Sequence, residues 1–149
     1  MVLACNYQQP VVAIDTHQPY FDHVNLAVSS AGLRRLVESR NFSMASLDYE
    51  SESVDLIWPE GAVYILGISV ALRLWRPILK PGALVAFSEL TWLSPDPPAE
   101  ALAFWRRGYP GRKALAGNLA KINSDGYDTL ETFPVARDDW WADYHTPLR

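Results

Sequence analysis

The sequence predicts an α/β fold in which helices flank a mainly parallel sheet. Short apolar runs alternate with longer segments of helical periodicity, and this alternation is typical of doubly wound sheets. The stretch from Leu79 to Glu89, LKPGALVAFSE, is the clearest example, because Pro81 and Gly82 are expected to end a helix there. The apolar run that follows, residues 83–88, is therefore predicted to be a strand buried on both faces.

Five segments have the composition of strands. Each is short, apolar or β-branched, and bounded by residues that favour turns or interrupt helices. The predicted strands are residues 11–15, 36–42, 54–58, 83–88 and 127–133. The second has weak alternation and is expected at an edge of the sheet. The first ends in Asp15, which places a carboxylate at the carboxyl end of a parallel strand.

Helical periodicity marks the segments between these strands. Phe21, Val24 and Val28 recur at helical spacing. Pro19 suits the first turn of that helix, and Gly32 is expected to end it. The predicted helices are residues 19–31, 68–79, 99–107 and 113–124. The second contains a proline near its end, at position 77, which we expect to distort it.

Composition limits the kind of protein. The 149 residues suit one domain with its own core, expected to span 1–149. A net charge of −4 provides no basic surface, so no nucleic-acid partner is expected. Cys5 is the only cysteine, which excludes an internal disulfide and fits a reducing compartment. No apolar run approaches about 18 residues, the length of a membrane span, and we expect a cytoplasmic protein without a membrane partner.

Several ordered pieces of sequence carry a resemblance to a known family. They are SESVDLIWPEG at 51–61, AVYILG at 62–67, KPG at 80–82, FW at 104–105 and YP at 109–110. In this order they resemble class I S-adenosylmethionine (SAM) dependent methyltransferases of the type 11 or ubiquinone/menaquinone-biosynthesis-like group. The resemblance implies a Rossmann-like fold with SAM as cofactor, in which residues 11–15 form the family's second strand and 54–58 its fourth.

The chain departs from that family at its beginning. Family members start with a strand and a glycine-rich loop that wraps the methionine part of SAM, whereas no glycine precedes Gly32 here. Residues 1–7 line up only with the helix after that loop, and the family's final helix and strand lie beyond the equivalent of Arg149. The resemblance therefore implies an incomplete class I methyltransferase fold, truncated at both ends.

The absent strand has a physical consequence. In the family it lies centrally, between the second and fourth strands, so its loss leaves two strand edges with unpaired backbone groups. A buried unpaired group costs about 1–3 kcal/mol, and a domain is stable by only about 5–15 kcal/mol. We expect the sheet to rearrange, or its exposed edges to pair with another chain, as in a homo-oligomer.

The resemblance assigns three residues to the cofactor. Asp15 would accept the ribose hydroxyls of SAM, while Ser43 and Met44 would lie at the adenine. The alternatives are that Asp15 only caps a turn and that Met44 only packs in the core. An acidic residue at this place also occurs in NAD enzymes, so Asp15 alone does not separate the two cofactors.

Glu60 and Tyr64 follow the predicted strand 54–58, where the resemblance places the methyl-transfer cleft. Glu60 is a candidate to orient or deprotonate a small-molecule acceptor, and Tyr64 is a candidate to contact it. The alternatives are a solvated loop carboxylate and a packed ring. Further aromatic residues, candidates for either a pocket wall or the core, are Trp92, Trp140, Trp141 and Tyr144. The histidines show no metal-ligand spacing, and no metal is expected.

Three functions remain open at this point. The first is a SAM-dependent methyltransferase that acts on a small organic acceptor, with weak or no activity in a truncated form. The second is a non-catalytic, methyltransferase-like interaction module that pairs with another chain. The third is a nucleotide-binding oxidoreductase. Binding of SAM favours the first function, its absence favours the second, and binding of NAD without SAM favours the third.

Overall fold

Strands and helices alternate along the chain and the strands are parallel, which confirms the predicted α/β, Rossmann-like class. The computed structural model describes residues 2–136 and residue 138. Its strands are β1 (Val11–Asp15), β2 (Val37–Asn41), β3 (Val54–Ile57) and β4 (Leu79–Val85). Its helices are α1 (Val2–Tyr7), α2 (Gln18–Ser30), α3 (Val63–Leu66), α4 (Ile68–Trp75), α5 (Ala99–Gly108) and α6 (Leu115–Ser124). Within the described residues, no helix is both long and apolar enough to cross a bilayer.

The strands form two separate parallel pairs. β1 pairs with β2 in a regular register, from Val11 opposite Val37 to Asp15 opposite Asn41. β3 pairs with β4, and no hydrogen-bonded strand joins the two pairs within the described part of the chain. The family resemblance implies an additional strand that would join the two pairs. The expected rearrangement into one closed sheet is not observed among these residues.

The helices lie close to their predicted positions. α2, α5 and α6 begin and end within two residues of the expected bounds. α4 ends at Trp75, and a 3₁₀ turn over Arg76–Ile78 follows it. Pro77 lies in this turn, which is the distortion expected of a proline near the end of a helix.

β4 begins at Leu79 rather than at residue 83, and it contains a bulge. Val54 pairs with Leu79, and Leu56 pairs with Leu84. Between these two pairs β3 advances by two residues while β4 advances by five. The extra length includes Pro81, which has no N–H to pair, and Gly82, whose φ of +77° suits glycine. The prediction that these two residues end a helix is therefore wrong. The strand is also not buried on both faces, since Leu84 is exposed to solvent.

Residues 127–133 form no strand, contrary to the prediction. No strand among the described residues pairs with this segment, and Leu130 and Phe133 are 79% and 77% exposed. Tyr127 anchors its beginning instead: the hydroxyl donates to the Leu72 carbonyl at 2.9 Å, and the Arg76 guanidinium lies over the ring at 4.4 Å. Alternating apolar residues form a strand only where another strand supplies hydrogen-bond partners.

Each strand pair has its own apolar cluster. Ala4, Val28 and Leu33 are buried against β1 and β2. The buried residues of the second cluster, which packs against β3 and β4, are Val63, Ile68, Ala71, Leu72, Trp75 and Leu79. Helices therefore cover the two strand pairs separately.

Trp75 connects the two halves of the chain. Its side chain is 1% exposed, and its Nε1 donates a 2.8 Å hydrogen bond to the carbonyl of Met44, in the loop after β2. Among the hydrogen bonds of the described residues, this is the one that joins residues 2–47 to residues 48–136. Side-chain packing around Trp75 is therefore the main connection between the two strand pairs.

Asp125 fastens the end of α6 to α4. Its carboxylate accepts hydrogen bonds from the Ser69 hydroxyl and the Arg73 guanidinium. The hydrogen bond from Ser69 is the main cause of a lowered pKa of Asp125. Arg76 donates from Nη2 to the carbonyls of Asp125 and the following glycine, at 3.0 and 2.6 Å. These contacts position α6, which supports the candidate site described below.

Replacing Trp75 with Phe should destabilise the fold, because the change opens a cavity and leaves the Met44 carbonyl without its donor. We expect the free energy of unfolding to fall by about 2 kcal/mol, measured by urea denaturation with circular dichroism. Trp58→Phe is the matched control, since Trp58 is 49% exposed, and its effect should stay within about 0.5 kcal/mol. Equal effects of the two substitutions would contradict the central position of Trp75.

Candidate functional site

Asp15 lies at the carboxyl end of β1, where the sequence places it. Its Oδ1 accepts hydrogen bonds from the backbone N–H groups of Thr16 and His17, at 2.7 and 2.8 Å. These bonds orient the carboxylate and leave Oδ2 without a hydrogen bond from the described residues. Asp15 thus acts as a turn cap in the structure, and its role at a ribose stays a prediction.

Ser43 and Met44 lie in the loop after β2. The exposed Ser43 hydroxyl accepts a hydrogen bond from the N–H of Ala45 at 3.2 Å. Met44 is half-buried, and its side chain packs against the cluster around Trp75. Met44 therefore contributes to the core, and the predicted contact of both residues with an adenine stays a prediction.

Glu60 and Tyr64 lie between β3 and α4, and both side chains are exposed. This connection is tied to the chain beyond β4, because the N–H of Gly61 donates to the Ser88 hydroxyl at 2.7 Å. The ring of Tyr64 lies 5.8 Å from the ring of Tyr109, measured between centroids. Tyr64 therefore lies beside Tyr109, whereas no hydrogen bond or aromatic contact of Glu60 is found among the described residues.

Glu89 lies in the segment after β4, next to Ser88, and its carboxylate oxygens are buried. Neither oxygen has a partner in hydrogen-bonding geometry among the described residues. Burial is the main influence on this carboxyl and raises its pKa. The Tyr109 hydroxyl, the Leu90 N–H and then the Arg112 charge lower it: the two donors lie near the carboxylate, although neither meets the geometry of a hydrogen bond. Burial, followed by the charge of Glu89, raises the pKa of Tyr109 to about 12. An ionised carboxylate in such a place is unfavourable unless something pairs with it.

Two indole rings lie against the Arg112 guanidinium. Its guanidinium carbon lies 4.2 Å from the ring centroid of Trp92 and 4.4 Å from that of Trp105. Nη2 donates to the carbonyl of Thr91 at 3.2 Å, whereas Nε and Nη1 are buried without a partner among the described residues. Burial lowers the pKa of Arg112, but a guanidinium remains charged at neutral pH. We call Glu89, Tyr109, Arg112 and the two indoles the polar cluster.

The segment that carries Glu89 is held against the start of α6. The N–H of Trp92 donates to the Lys113 carbonyl at 3.0 Å. The buried Asn118 donates from Nδ2 to the Thr91 hydroxyl at 3.2 Å. Because α6 is itself fastened to α4, the polar cluster has a supported frame near the carboxyl end of β4. Parallel α/β sheets bind their ligands at this end.

Sequence reasoning found part of this arrangement. Trp92 was a candidate for the wall of an acceptor pocket, and it contacts Arg112; the other candidates, Trp140, Trp141 and Tyr144, lie outside the described residues. The FW and YP pairs contain Trp105 and Tyr109, which both belong to the polar cluster. No motif in the sequence singled out Arg112, because its contacts with the two indoles and its burial arise only in the folded protein.

Two open cavities, of about 370 and 490 Å³, lie beside β2 and share Arg34, Val37 and Glu38. Asp15 lines neither, so these cavities do not coincide with the predicted nucleoside position. Within the residues that the structure describes, no group of three or more His, Cys, Asp or Glu side chains is arranged to hold a metal ion.

Comparison with known proteins identifies the fold. No protein-family model matches the sequence, and no curated protein matches it. A SAM-dependent methyltransferase from Thiobacillus denitrificans, in complex with S-adenosyl-L-homocysteine, is similar with a TM-score of 0.81 and 24% identity, over 97% of this chain and 58% of that protein. A SAM-dependent methyltransferase from Geobacter sulfurreducens, also in complex with S-adenosyl-L-homocysteine, has a TM-score of 0.72 and 22% identity, over 91% of this chain and 54% of that protein. The [4+2]-cyclase SpnF has a TM-score of 0.70 and 18% identity, over 87% of this chain and 46% of that protein.

These similarities show that the chain has the class I fold of SAM-dependent methyltransferases. The chain spans about half the length of the solved structures that it matches. Because the fold is shared with a cyclase, the reaction has to be argued from the site.

Replacing Glu89 with Gln should stabilise the protein at neutral pH. Since the folded-state pKa of Glu89 is raised, its ionised form opposes folding once the pH exceeds the pKa in the unfolded chain. The urea midpoint of E89Q should exceed that of the wild type at pH 7. The difference should shrink as the pH is lowered through about 4.3, because the carboxyl is then protonated in both states.

Glu60→Gln is the control for this comparison, because it removes an exposed carboxylate from a loop. Its urea midpoint should equal that of the wild type at both pH values. A lower midpoint of E89Q at pH 7 would mean that the carboxylate of Glu89 is paired in the folded protein, which would contradict the described geometry.

Proposed function

We propose that this chain forms part of a SAM-dependent methyltransferase that acts on a small organic acceptor. The observation that carries the proposal is the fold, which is that of solved SAM-dependent methyltransferases. Asp15 supports it, because this carboxylate ends β1 and parallel sheets bind ligands at the carboxyl ends of their strands. Residues 1–149 would form a single, partial methyltransferase domain.

The residues present suit the nucleoside part of SAM better than its amino-acid part. Oδ2 of Asp15 is free of hydrogen bonds from the described residues and is suited to accept a ribose hydroxyl. Ser43 and Met44, after the neighbouring strand, would contact the adenine. By contrast, the sequence contains no glycine-rich loop before Gly32 that would cradle the methionine.

SAM supplies an activated methyl group, and the protein mainly holds the two reactants in line. Tyr64 would contact the acceptor, and the position of its ring beside Tyr109 of the polar cluster supports this role. Glu60 is on the same connection and would orient or deprotonate the acceptor only if the loop brings it closer. Without a methionine cradle, we expect this chain by itself to have weak or no activity.

A second candidate is a non-catalytic interaction module. It is favoured by the two separate strand pairs, because in a two-stranded sheet each strand has one edge without a strand partner, as is found for all four strands of the described residues. Such an edge can accept a strand from another chain, which includes a second copy of this one. In that case the fold would be retained for assembly rather than for cofactor binding.

Binding of S-adenosylhomocysteine and of adenosine to the full chain, followed by NMR titration, tests the first candidate. We expect both to bind in the millimolar range with similar affinity, because the contacts are to ribose and base. Asp15→Asn should weaken both by about tenfold, since a charge-assisted hydrogen bond is lost. Asp22→Asn, on the exposed face of α2, should change neither affinity.

Absence of binding by a folded chain would favour the interaction module, which sedimentation analysis would then test for self-association. Binding of NAD without binding of S-adenosylhomocysteine would indicate an oxidoreductase. Micromolar affinity for S-adenosylhomocysteine would contradict the importance that we give to the missing glycine-rich loop.

A further inference from the structure

The polar cluster contains four buried polar atoms that have no partner among the described residues. They are Oε1 and Oε2 of Glu89 and Nε and Nη1 of Arg112. Unpaired buried groups each cost about 1–3 kcal/mol and are rare in native structures. Their concentration on two side chains at one place is therefore a feature that requires a physical explanation.

Glu89 and Arg112 do not satisfy each other. No ion pair with an N···O distance within 4.0 Å joins them, although each charge acts on the pKa of the other. Their charges thus interact without direct contact, and the Glu89 oxygens and the Nε and Nη1 donors of Arg112 have no partner in hydrogen-bonding geometry among the described residues. A group that pairs with both side chains would need to present a donor to Glu89 and an acceptor to Arg112.

The two indoles determine what Arg112 can bind. The rings of Trp92 and Trp105 contact the guanidinium carbon by cation–π interaction, so they do not pair with the N–H donors in the guanidinium plane. Donors in that plane match the oxygen atoms of a carboxylate or a phosphate. The stacking also restricts the side chain, so little conformational entropy is lost when an anion binds.

The position of the cluster agrees with an acceptor site. Glu89 follows the strand end of β4, and the Gly61 to Ser88 hydrogen bond brings the connection after β3 to the same place. Tyr64 and Tyr109 add aromatic surface beside the charged groups. The site is therefore suited to a small molecule that has a flat or apolar body and two polar ends.

We propose that the polar cluster binds the methyl acceptor, and that this acceptor is a small carboxylic acid that also carries a hydroxyl or amino group. Its carboxylate lies against Arg112, and its O–H or N–H donates to Glu89. This assignment rests on the proposed methyltransferase function. It makes Arg112 the residue that selects an anionic acceptor, and Glu89 the residue that contacts its nucleophilic end.

NMR titration of the full chain with 2-, 3- and 4-hydroxybenzoate tests the assignment, because these probes vary the distance between hydroxyl and carboxylate. We expect at least one of them to bind in the millimolar range and to shift the indole N–H signals of Trp92 and Trp105, assigned by Trp→Phe variants. The corresponding hydroxybenzamide, which lacks the negative charge, should bind about tenfold more weakly or not at all.

Three variants identify the contacts. Arg112→Gln should weaken the hydroxybenzoate about tenfold, whereas Arg107→Gln, an exposed arginine on α5, should leave the affinity unchanged. Glu89→Gln should reduce the affinity for the hydroxybenzoate but not the affinity for benzoate, which lacks the donor. This second comparison holds even if the Arg112 variant fails to fold.

Failure of all three hydroxybenzoates to bind would overturn the assignment. It would also be overturned if 4-hydroxybenzylamine bound more tightly than every hydroxybenzoate, because that result would indicate a site for a cation at Glu89. The test is independent of the cofactor. If adenosine binds and no hydroxybenzoate binds, the acceptor site is refuted and the proposed function stands. If a hydroxybenzoate binds and adenosine does not, the protein has a site for carboxylic acids, and the proposed methyltransferase function is refuted.

Discussion

The packing of Trp75 is the interaction on which the rest of the described structure depends. In a continuous doubly wound sheet, backbone hydrogen bonds between neighbouring strands connect one side of the domain to the other. Here the described strands form two pairs, and the indole bond to the Met44 carbonyl replaces that continuity. One buried side chain thus carries a structural connection that a strand normally provides.

This arrangement affects the candidate site directly. Asp15, Ser43 and Met44 belong to the half with β1 and β2, whereas Tyr64 and the polar cluster belong to the half with β3 and β4. In the proposed methyltransferase, the distance between a bound nucleoside and an acceptor would therefore depend on how the halves pack. Because methyl transfer requires alignment of the two reactants, the contact at Trp75 would then bear on reactivity as well as on stability.

The polar cluster affects stability in the opposite direction. Its buried carboxylate and guanidinium oppose folding, because neither is fully paired. The surrounding contacts nevertheless keep both groups in place, through the two indoles on Arg112 and the bonds that Trp92 and Asn118 make around α6. Local rules of polar pairing are commonly violated in this way where a protein binds a ligand.

The sequence by itself determined the α/β class, the positions of β1, β3 and most helices, and the placement of Asp15, because these depend on local patterns of apolar residues, prolines and glycines. Tertiary structure decided where β4 begins and that residues 127–133 form no strand, because strand formation requires a partner that local sequence does not specify. It also decided the polar cluster. Glu89 and Arg112 are distant in the chain, and only packing between the end of β4, α5 and α6 brings them together and removes them from water.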